Sequence, residues 1–486
     1  MPLAGLAVRH GGAGVATARA VRLLGLLGAH VEPTGGLDGL CLEGGGVVGA
    51  GSPRDPDADW ATSGAMALTG DPDGPPLVAP GAPASAARGA ALALEALTSA
   101  FGGLGVVRVD GAALLGERAV IAGLSRAGST SPGGSCRLLA ARHGWVAVNL
   151  ARQSDFELLP AWLELDVAGD PWAAVADRLS QADGVALVER AALMGLAVAT
   201  VGERPPPAAP DRLVGDRPPN APWRLEVGTG PGTAGPSRSP GLVVDLSALW
   251  AGPLCADLLG RCGFEVVKVE STARPDGARR GPPTFYDLLH GGHRSVALDL
   301  ASPSARGSLL ELMARADVVV ESSRPRALEG LDLGPEQLRR RAPGAVWVSV
   351  TGYGRSGPGR DRVAFGDDAA AAAGLVASGA DGHPRFCGDA IADPLAGLHA
   401  AVAAVALWGA GRGGLVDVSL CGVAGSTLAP DGALGGAGPR AARRGGGGWV
   451  LDTAEGVVPV RSPRARAVGR PAAEMGAHTA EVLADP

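Results

Sequence analysis

Lysine is almost missing from this chain: of 43 basic residues among 486, Lys268 is the single lysine, and arginine carries the rest of the positive charge. A phosphate-cradling Walker loop ends in a lysine on a glycine-rich turn, and none stands in that setting. Aromatic residues make up 3% and form no stripe, which argues against stacking on single-stranded nucleic acid. Acidic residues, at 49, outnumber basic ones and leave a net charge of -6, so the basic footprint of a nucleic-acid binder is absent too. The longest apolar run, Leu398 to Ala410, falls short of the ~20 residues a bilayer span needs and holds His399. The opening residues lack the basic-then-apolar order of an export signal. These absences predict a soluble, cytoplasmic protein with neither nucleic acid nor membrane as partner. The six cysteines, Cys41, Cys136, Cys255, Cys262, Cys387 and Cys421, form no CxxC pair and no His/Cys metal spacing, so free buried thiols and no metal site are expected.

What is present is globular. Hydrophobic residues make up 46% and charged residues 19%, and at ~150 residues per domain the length allows about three domains or two large ones. From Glu203 to Gly241 the chain is dense in Pro, Gly and Ser and reads as a linker over 204–239. After it, short β-branched runs at 241–247, 265–270, 294–300, 317–322 and 345–350 alternate with helical patterns. That alternation predicts an α/β fold with a Rossmann-like parallel sheet covered on both faces.

The chain also repeats itself. RLLGLLGAHVE, from Arg22, aligns with DLLGRCGFEVV, from Asp257, at a constant separation of 235, and Asp73-Gly74 and Gly89 align with Asp381-Gly382 and Gly397 at 308. The expected layout is a decayed partial copy over 1–128, a small α/β domain over 129–203, the linker, an intact large domain over 240–425, and a loop-rich, strand-poor segment over 426–486. Gly445 to Gly448 reads as a plain linker or as a flexible loop closing over a site.

Few motifs announce chemistry. GAGVAT at Gly12 approaches a dinucleotide fingerprint but lacks its last glycine, which leaves an NAD-binding Rossmann enzyme as the weakest of the readings. No GxSxG elbow and no HExxH appear. The strand at 241–247 runs into Trp250, Ala251, Gly252 and Pro253, a strand-to-helix turn with Pro253 placed as a first helical residue, where free backbone donors gather. The strand at 317–322 ends in Ser322, Ser323, Arg324 and Arg326, which suit either a phosphate site or a solvated loop. Asp393, followed by Pro394, reads as a helix N-cap. A helix N-terminus also stabilises an ionised carboxylate, so the same residue suits a nucleophile.

The runs 245–270, HRSVALDL, ADVVVESSRP, SVTGYGRSGP, DPLAGLHAAVAAV and GLVDVSL stand in the order and spacing of class III coenzyme A transferases, which this chain resembles from Gly241 to about Gly425. That group includes formyl-CoA and carnitine CoA-transferases and the alpha-methylacyl-CoA racemases. The resemblance implies an acyl-CoA:carboxylate CoA-transferase with Asp393 as nucleophile, working through an aspartyl anhydride and an aspartyl-CoA thioester. It implies backbone donors at Trp250 and Ala251, with Gly252 and Pro253 along the pantetheine arm. It further implies that Arg294, Leu298, Ser322, Ser323, Arg324 and Ala327 line the nucleotide end of CoA. No permanently bound cofactor is implied; acyl-CoA and a free carboxylic acid are the substrates, and a homodimer is the family's habit.

The sequence departs from the family at several places. Phe365 stands where the racemase branch has histidine, which disfavours an acyl-CoA racemase. Gly366 stands where transferases carry an acid, with Asp367 and Asp368 next to it. ENFRPG-type and NRGKRS-type patterns read ESSRPR and HGGHRS, so a catalytically inert CoA-binding or assembly subunit stays open as an alternative. At the two repeat separations Asp393 falls on Ser85 and Ala251 on Ala16, so the first half is expected to contribute packing rather than a second site.

Overall fold

The computed structural model describes residues 1–12, 14–49, 55–203, 221–228, 241–428 and 440–484. The first region holds β1 (Ala7–Gly11), α1 (Val15–Leu26), β2 (His30–Pro33), β3 (Gly39–Leu42), α2 (Pro56–Ser63), α3 (Pro83–Ala100), α4 (Gly111–Leu114) and α5 (Glu117–Ala122). Next come β4 (Cys136–Ala140), β5 (Trp145–Asn149), α6 (Gln153–Glu157), α7 (Leu159–Leu163), α8 (Pro171–Gln181), α9 (Gly184–Met194) and β6 (Ala197–Thr200). The main sheet region starts with β7 (Trp223–Val227), β8 (Leu242–Asp245), α10 (Ala251–Arg261), β9 (Glu265–Ser271), α11 (Pro283–His290) and β10 (Arg294–Leu298). It continues through α12 (Pro303–Ala314), β11 (Val318–Glu321), α13 (Pro325–Glu329), α14 (Pro335–Arg341) and β12 (Val346–Thr351). Then follow α15 (Gly366–Ala373), the β13 (Val376–Ser378) and β14 (Pro384–Phe386) hairpin, α16 (Ala392–Gly409), β15 (Gly414–Ser419) and α17 (Leu420–Ser426). The last elements are β16 (Arg443–Gly445), β17 (Gly448–Thr453), β18 (Gly456–Pro459) and α18 (Thr479–Ala484).

The β-branched runs become strands because both faces of their sheet are covered: every residue of β11 and β12 is buried. The sheet is ordered β10-β9-β8-β11-β12-β15-β7, parallel throughout except for β7. From β8 the chain adds β9 and β10 on one side and then crosses to β11, β12 and β15 on the other. The strand order therefore reverses between β8 and β11, and the crevice at their carboxyl ends is where open parallel sheets take ligands.

Two expectations need correction. The stretch read as linker over 204–239 contains β7, which closes the sheet edge against β15 because Trp223 finds a buried place there and the strand's backbone pairs along its whole length. Its remainder, 204–220 and 229–239, lies outside the described residues. The C-terminal segment is not strand-poor, since β16, β17 and β18 form an antiparallel meander. Gly446 and Gly447 adopt φ of +51° and +101° in the tight turn between β16 and β17, so that glycine run is a hairpin.

The repeated segments are also alike in geometry. β1 pairs with β2 in parallel with Ala7 opposite His30, and β8 pairs with β9 with Leu242 opposite Glu265, so both strands keep the 235-residue separation. Gly89 of α3 sits on the Ala16 carbonyl of α1, where a Cβ would come within 2.7 Å, and Gly397 of α16 sits on the Ala251 carbonyl of α10, where it would come within 2.4 Å. Helices α3 and α16 pack on each other and share one core. By length and composition α16 would cross a membrane, but 94% of it is buried inside this fold.

Between these two parts, β4, β5 and β6 form an antiparallel sheet. Helices α7, α8 and α9 bury Trp162, Val175 and Leu187 against one face. Ala147 on the other face meets Ala371 of α15, which brings this region up to the end of α16 that carries Asp393.

Candidate active site

Asp393 does not cap α16. The cap position is Ile391 and the helix begins at Ala392, so Asp393 falls within the first turn, its N–H donating to the Ala390 carbonyl at 2.9 Å. Ala390 has φ of +43°, a left-handed value that strains a residue with a Cβ. That strained turn is held by Asp367, whose carboxylate accepts the Ala390 N–H at 2.7 Å. Asp368, beside it, caps α15 by accepting the Phe365 N–H at 3.0 Å and also takes Asn149 Nδ2 at 2.9 Å. Asp367 and Asp368 therefore hold backbone and a neighbouring strand.

A fourth carboxylate, Asp389, is fully buried and meets Arg118 in a forked pair, Nε at 2.8 Å and Nη2 at 2.5 Å. Four carboxylates thus cluster around the start of α16. Burial, then repulsion from Asp389, pushes Asp367 up to about 6, and burial pushes Asp368 up to about 7. Asp393 is also pushed up to about 7 by burial, with Asp367, Asp368 and Asp389 adding to the rise and Arg118 opposing it.

The turn after β8 is built on a buried charge network. Asp245 accepts both the backbone N–H and the hydroxyl of Ser247, and Asp276 accepts the Leu249 N–H at 2.9 Å. Lys268, 1% exposed, sits between the two acids, 3.4 Å from Asp245 and 3.1 Å from Asp276, and also donates to the Ser247 carbonyl. Leu249 is forced to φ of +70°. Trp250 then packs edge-on against Phe285 with ring centroids 5.4 Å apart, and α10 opens at Ala251. Pro253 is the third helical residue rather than the first, still among the four whose N–H groups have no helical acceptor. The close seating of Gly397 on Ala251 locks α10 to α16, so the Trp250 turn and Asp393 belong to one rigid pair of helix ends.

The residues expected along CoA divide into two groups. At the carboxyl end of β11, Ser322 Oγ accepts the Ala248 N–H at 3.0 Å, the Ser323 N–H bonds Glu321 at 2.7 Å, and the Ala327 N–H bonds the Arg324 carbonyl at 2.8 Å. Burial and the neighbouring guanidinium groups of Arg326, Arg152 and Arg274 lower the pKa of Arg324, which marks a crowd of like charges at this strand end. Leu298 is buried at the carboxyl end of β10. Arg294 is not brought to this side: it stands at the amino end of β10, paired with Glu265 at 2.7 Å and Glu481 at 3.1 Å.

Three residues here were not found in the sequence. Asp389 carried a legible signal, an acid one helical turn before Asp393. Arg118 and Asn149 carried none, because each belongs to a distant segment. The first half therefore contributes more than packing, since Arg118 reaches Asp389 and lies 5.8 Å from the Trp250 ring centre.

Residues 241–451 match the profile of CoA-transferase family III. The chain is 34% identical over 191 residues to a succinyl-CoA–D-citramalate CoA-transferase of Chloroflexus aurantiacus, covering 37% of this chain and 48% of that one. It is 33% identical over 191 residues to a succinyl-CoA:glutarate CoA-transferase of Homo sapiens, covering 37% of this chain and 44% of that one. A crystal structure of a hypothetical protein from Mycobacterium tuberculosis aligns at 30% identity over 44% of this chain and 63% of that one, with a TM-score of 0.39. The chain spans about half the length of the curated relatives it matches. Through residues 241–451, less than half of its length, the chain is similar to CoA-transferase family III.

Proposed function

We propose that the protein moves coenzyme A from an acyl-CoA to a free carboxylate, with Asp393 as the nucleophile. The observation that carries this reading is the placement of Asp393 in the first turn of α16, a helix that is seated through Gly397 on the Ala251 carbonyl of α10. The helix terminus favours its anion, and a pKa of about 7 leaves roughly half of it ionised at neutral pH yet more basic than an ordinary aspartate.

The carboxylate oxygen attacks the thioester carbonyl, the C–S bond breaks, and CoA thiolate leaves behind an aspartyl anhydride. The thiolate then attacks the aspartyl carbonyl and expels the donor acid as its carboxylate. The acceptor carboxylate attacks the resulting aspartyl-CoA thioester, again releasing thiolate, which takes the acceptor acyl group and frees Asp393. Each addition places negative charge on a carbonyl oxygen, and in this reading the first-turn N–H groups of α10, beginning at Ala251, serve as its donors. Arg324, with Arg152, Arg274 and Arg326, supplies the positive end for the CoA phosphates.

Residues 1–128 serve in this reading as a diverged partial copy of the large domain, with 129–203 as the small domain. The shared β1–β2 and β8–β9 register and the paired glycine seats support this. Ser85, opposite Asp393 in the alignment, donates to Asp59 at 2.6 Å, which leaves the first half no carboxylate nucleophile at that position and the chain one site.

The test uses succinyl-CoA with glutarate or citramalate as acceptor, read by mass spectrometry, with hydroxylamine as trap. New acyl-CoA and a hydroxamate on the peptide containing Asp393 are expected, both lost in Asp393→Ala. CoA binding without transfer or trapping would establish the inert subunit instead.

A further inference from the structure

We propose that Arg118 is a positioning residue for Asp393: a guanidinium supplied from the first 128 residues that pins Asp389 and balances the carboxylate charge of the cluster. The proposal rests on the CoA-transfer reading for its kinetic consequence, but its geometry stands apart from it. Arg118 projects from α5 and reaches Asp389 across 271 residues of sequence, while its guanidinium also lies against the Trp250 ring. Its place does not depend on that pair. The preceding residue, Glu117, is buried and paired with Arg466 at 2.7 Å, and Arg466 also pairs with Asp257 of α10 at 2.5 Å, so α5 is clamped to the same helix that opens at Ala251.

The charged groups that face Asp393 come from three elements: Asp367 and Asp368 on α15, Asp389 on the turn into α16, and Arg118 on α5. Among these described groups Arg118 alone is positive. Deleting it leaves Asp389 buried without its counter-charge and exposes Asp393 to three like charges, so the proton on Asp393 is held to higher pH. The effect on transfer is a smaller ionised fraction of the nucleophile at a given pH. A packing role alone would leave the titration of Asp393 where it is.

The test compares Asp389→Asn with the double variant Arg118→Met/Asp389→Asn, which removes the acid that would otherwise be stranded, and with Arg118→Lys, which keeps the charge. Carbodiimide attacks protonated carboxyls, so its labelling of Asp393 against pH, quantified on the peptide by mass spectrometry, gives a midpoint whether or not the protein turns over. The expected midpoint rises by about one pH unit from Asp389→Asn to the double variant, and Arg118→Lys stays near the wild type. In parallel the acid limb of kcat/KM moves the same way, giving about tenfold less activity at pH 6. Equal midpoints for Asp389→Asn and the folded double variant would overturn the role of Arg118, whatever the wild-type activity. A shifted midpoint in a protein that transfers no CoA would uphold it and remove the proposed function alone.

Discussion

The carboxylate of Asp393 occupies the space in which Gly366 would carry a side chain: a Cβ there would lie 2.5 Å from Oδ2 and 2.3 Å from the Ala390 carbonyl oxygen. The glycine is thus needed for room rather than for an unusual backbone angle. Gly366→Ala is expected to displace Asp393 or its strained turn, costing about 1–3 kcal/mol of stability and at least ~100-fold in kcat. Thermal unfolding together with steady-state kinetics checks this, and near-wild-type kcat would show that the close approach has no bearing on the chemistry.

Transfer should depend on pH through Asp393. The nucleophile must be ionised, and its pKa is raised to about 7, so kcat/KM is expected to rise from pH 5 to 8 with a midpoint near 7. A profile flat down to pH 5 would mean that an ordinary carboxylate, or another group, performs the attack.

Stability should run the other way. A carboxyl whose pKa is higher in the folded chain keeps a proton that the unfolded chain has lost, so between about pH 4 and 7 the native state binds more protons and stability falls as pH rises. Asp368 is pushed to about 7 and is fully buried. Asp368→Asn retains an oxygen for the Phe365 N–H and Asn149 but removes the charge. It is expected to flatten the profile and to unfold at a higher temperature than wild type at pH 8, and calorimetry across pH 5–8 measures both.

The crowded guanidinium groups at the end of β11 predict a separation of binding from chemistry. Arg324→Ala is expected to raise KM for acyl-CoA about tenfold with kcat little changed, and the loss should shrink as salt is added. A drop in kcat alone would place Arg324 elsewhere in the cycle.

Lys268→Met strips the shared counter-charge from Asp245 and Asp276, both buried. Breaking such a pair costs about 3–5 kcal/mol. Denaturant unfolding should show that loss, and Asp245→Asn added to Lys268→Met should restore part of it.

The sheet was legible because parallel strands buried on both faces write themselves as unbroken Val/Leu runs, and each of the five runs became a strand. β7 was hidden because a single alternating pentapeptide, Trp223 to Val227, sits among prolines and glycines that dominate any window. The Trp250 turn and Asp393 carried local signals, a strand running into a proline-bearing helix start and an acid before a proline. Pro253 and Asp393 still landed two positions from the helical places expected, since the true caps are Trp250 and Ile391, neither of which has a capping side chain. Arg118 had nothing around it to mark it. Its meeting with Asp389 is set by tertiary packing of α5 on α11 and by the Arg466 bridge to α10, and no periodicity in either segment encodes that meeting.

The burial of the sole lysine has a practical side. In the folded chain the one ε-amine lies under β8 and the turn that follows it, out of reach of acylating or crosslinking reagents. An amine tag appearing at position 268 would signal that the centre of the sheet has opened, making that nitrogen a built-in reporter of unfolding that needs no engineered probe.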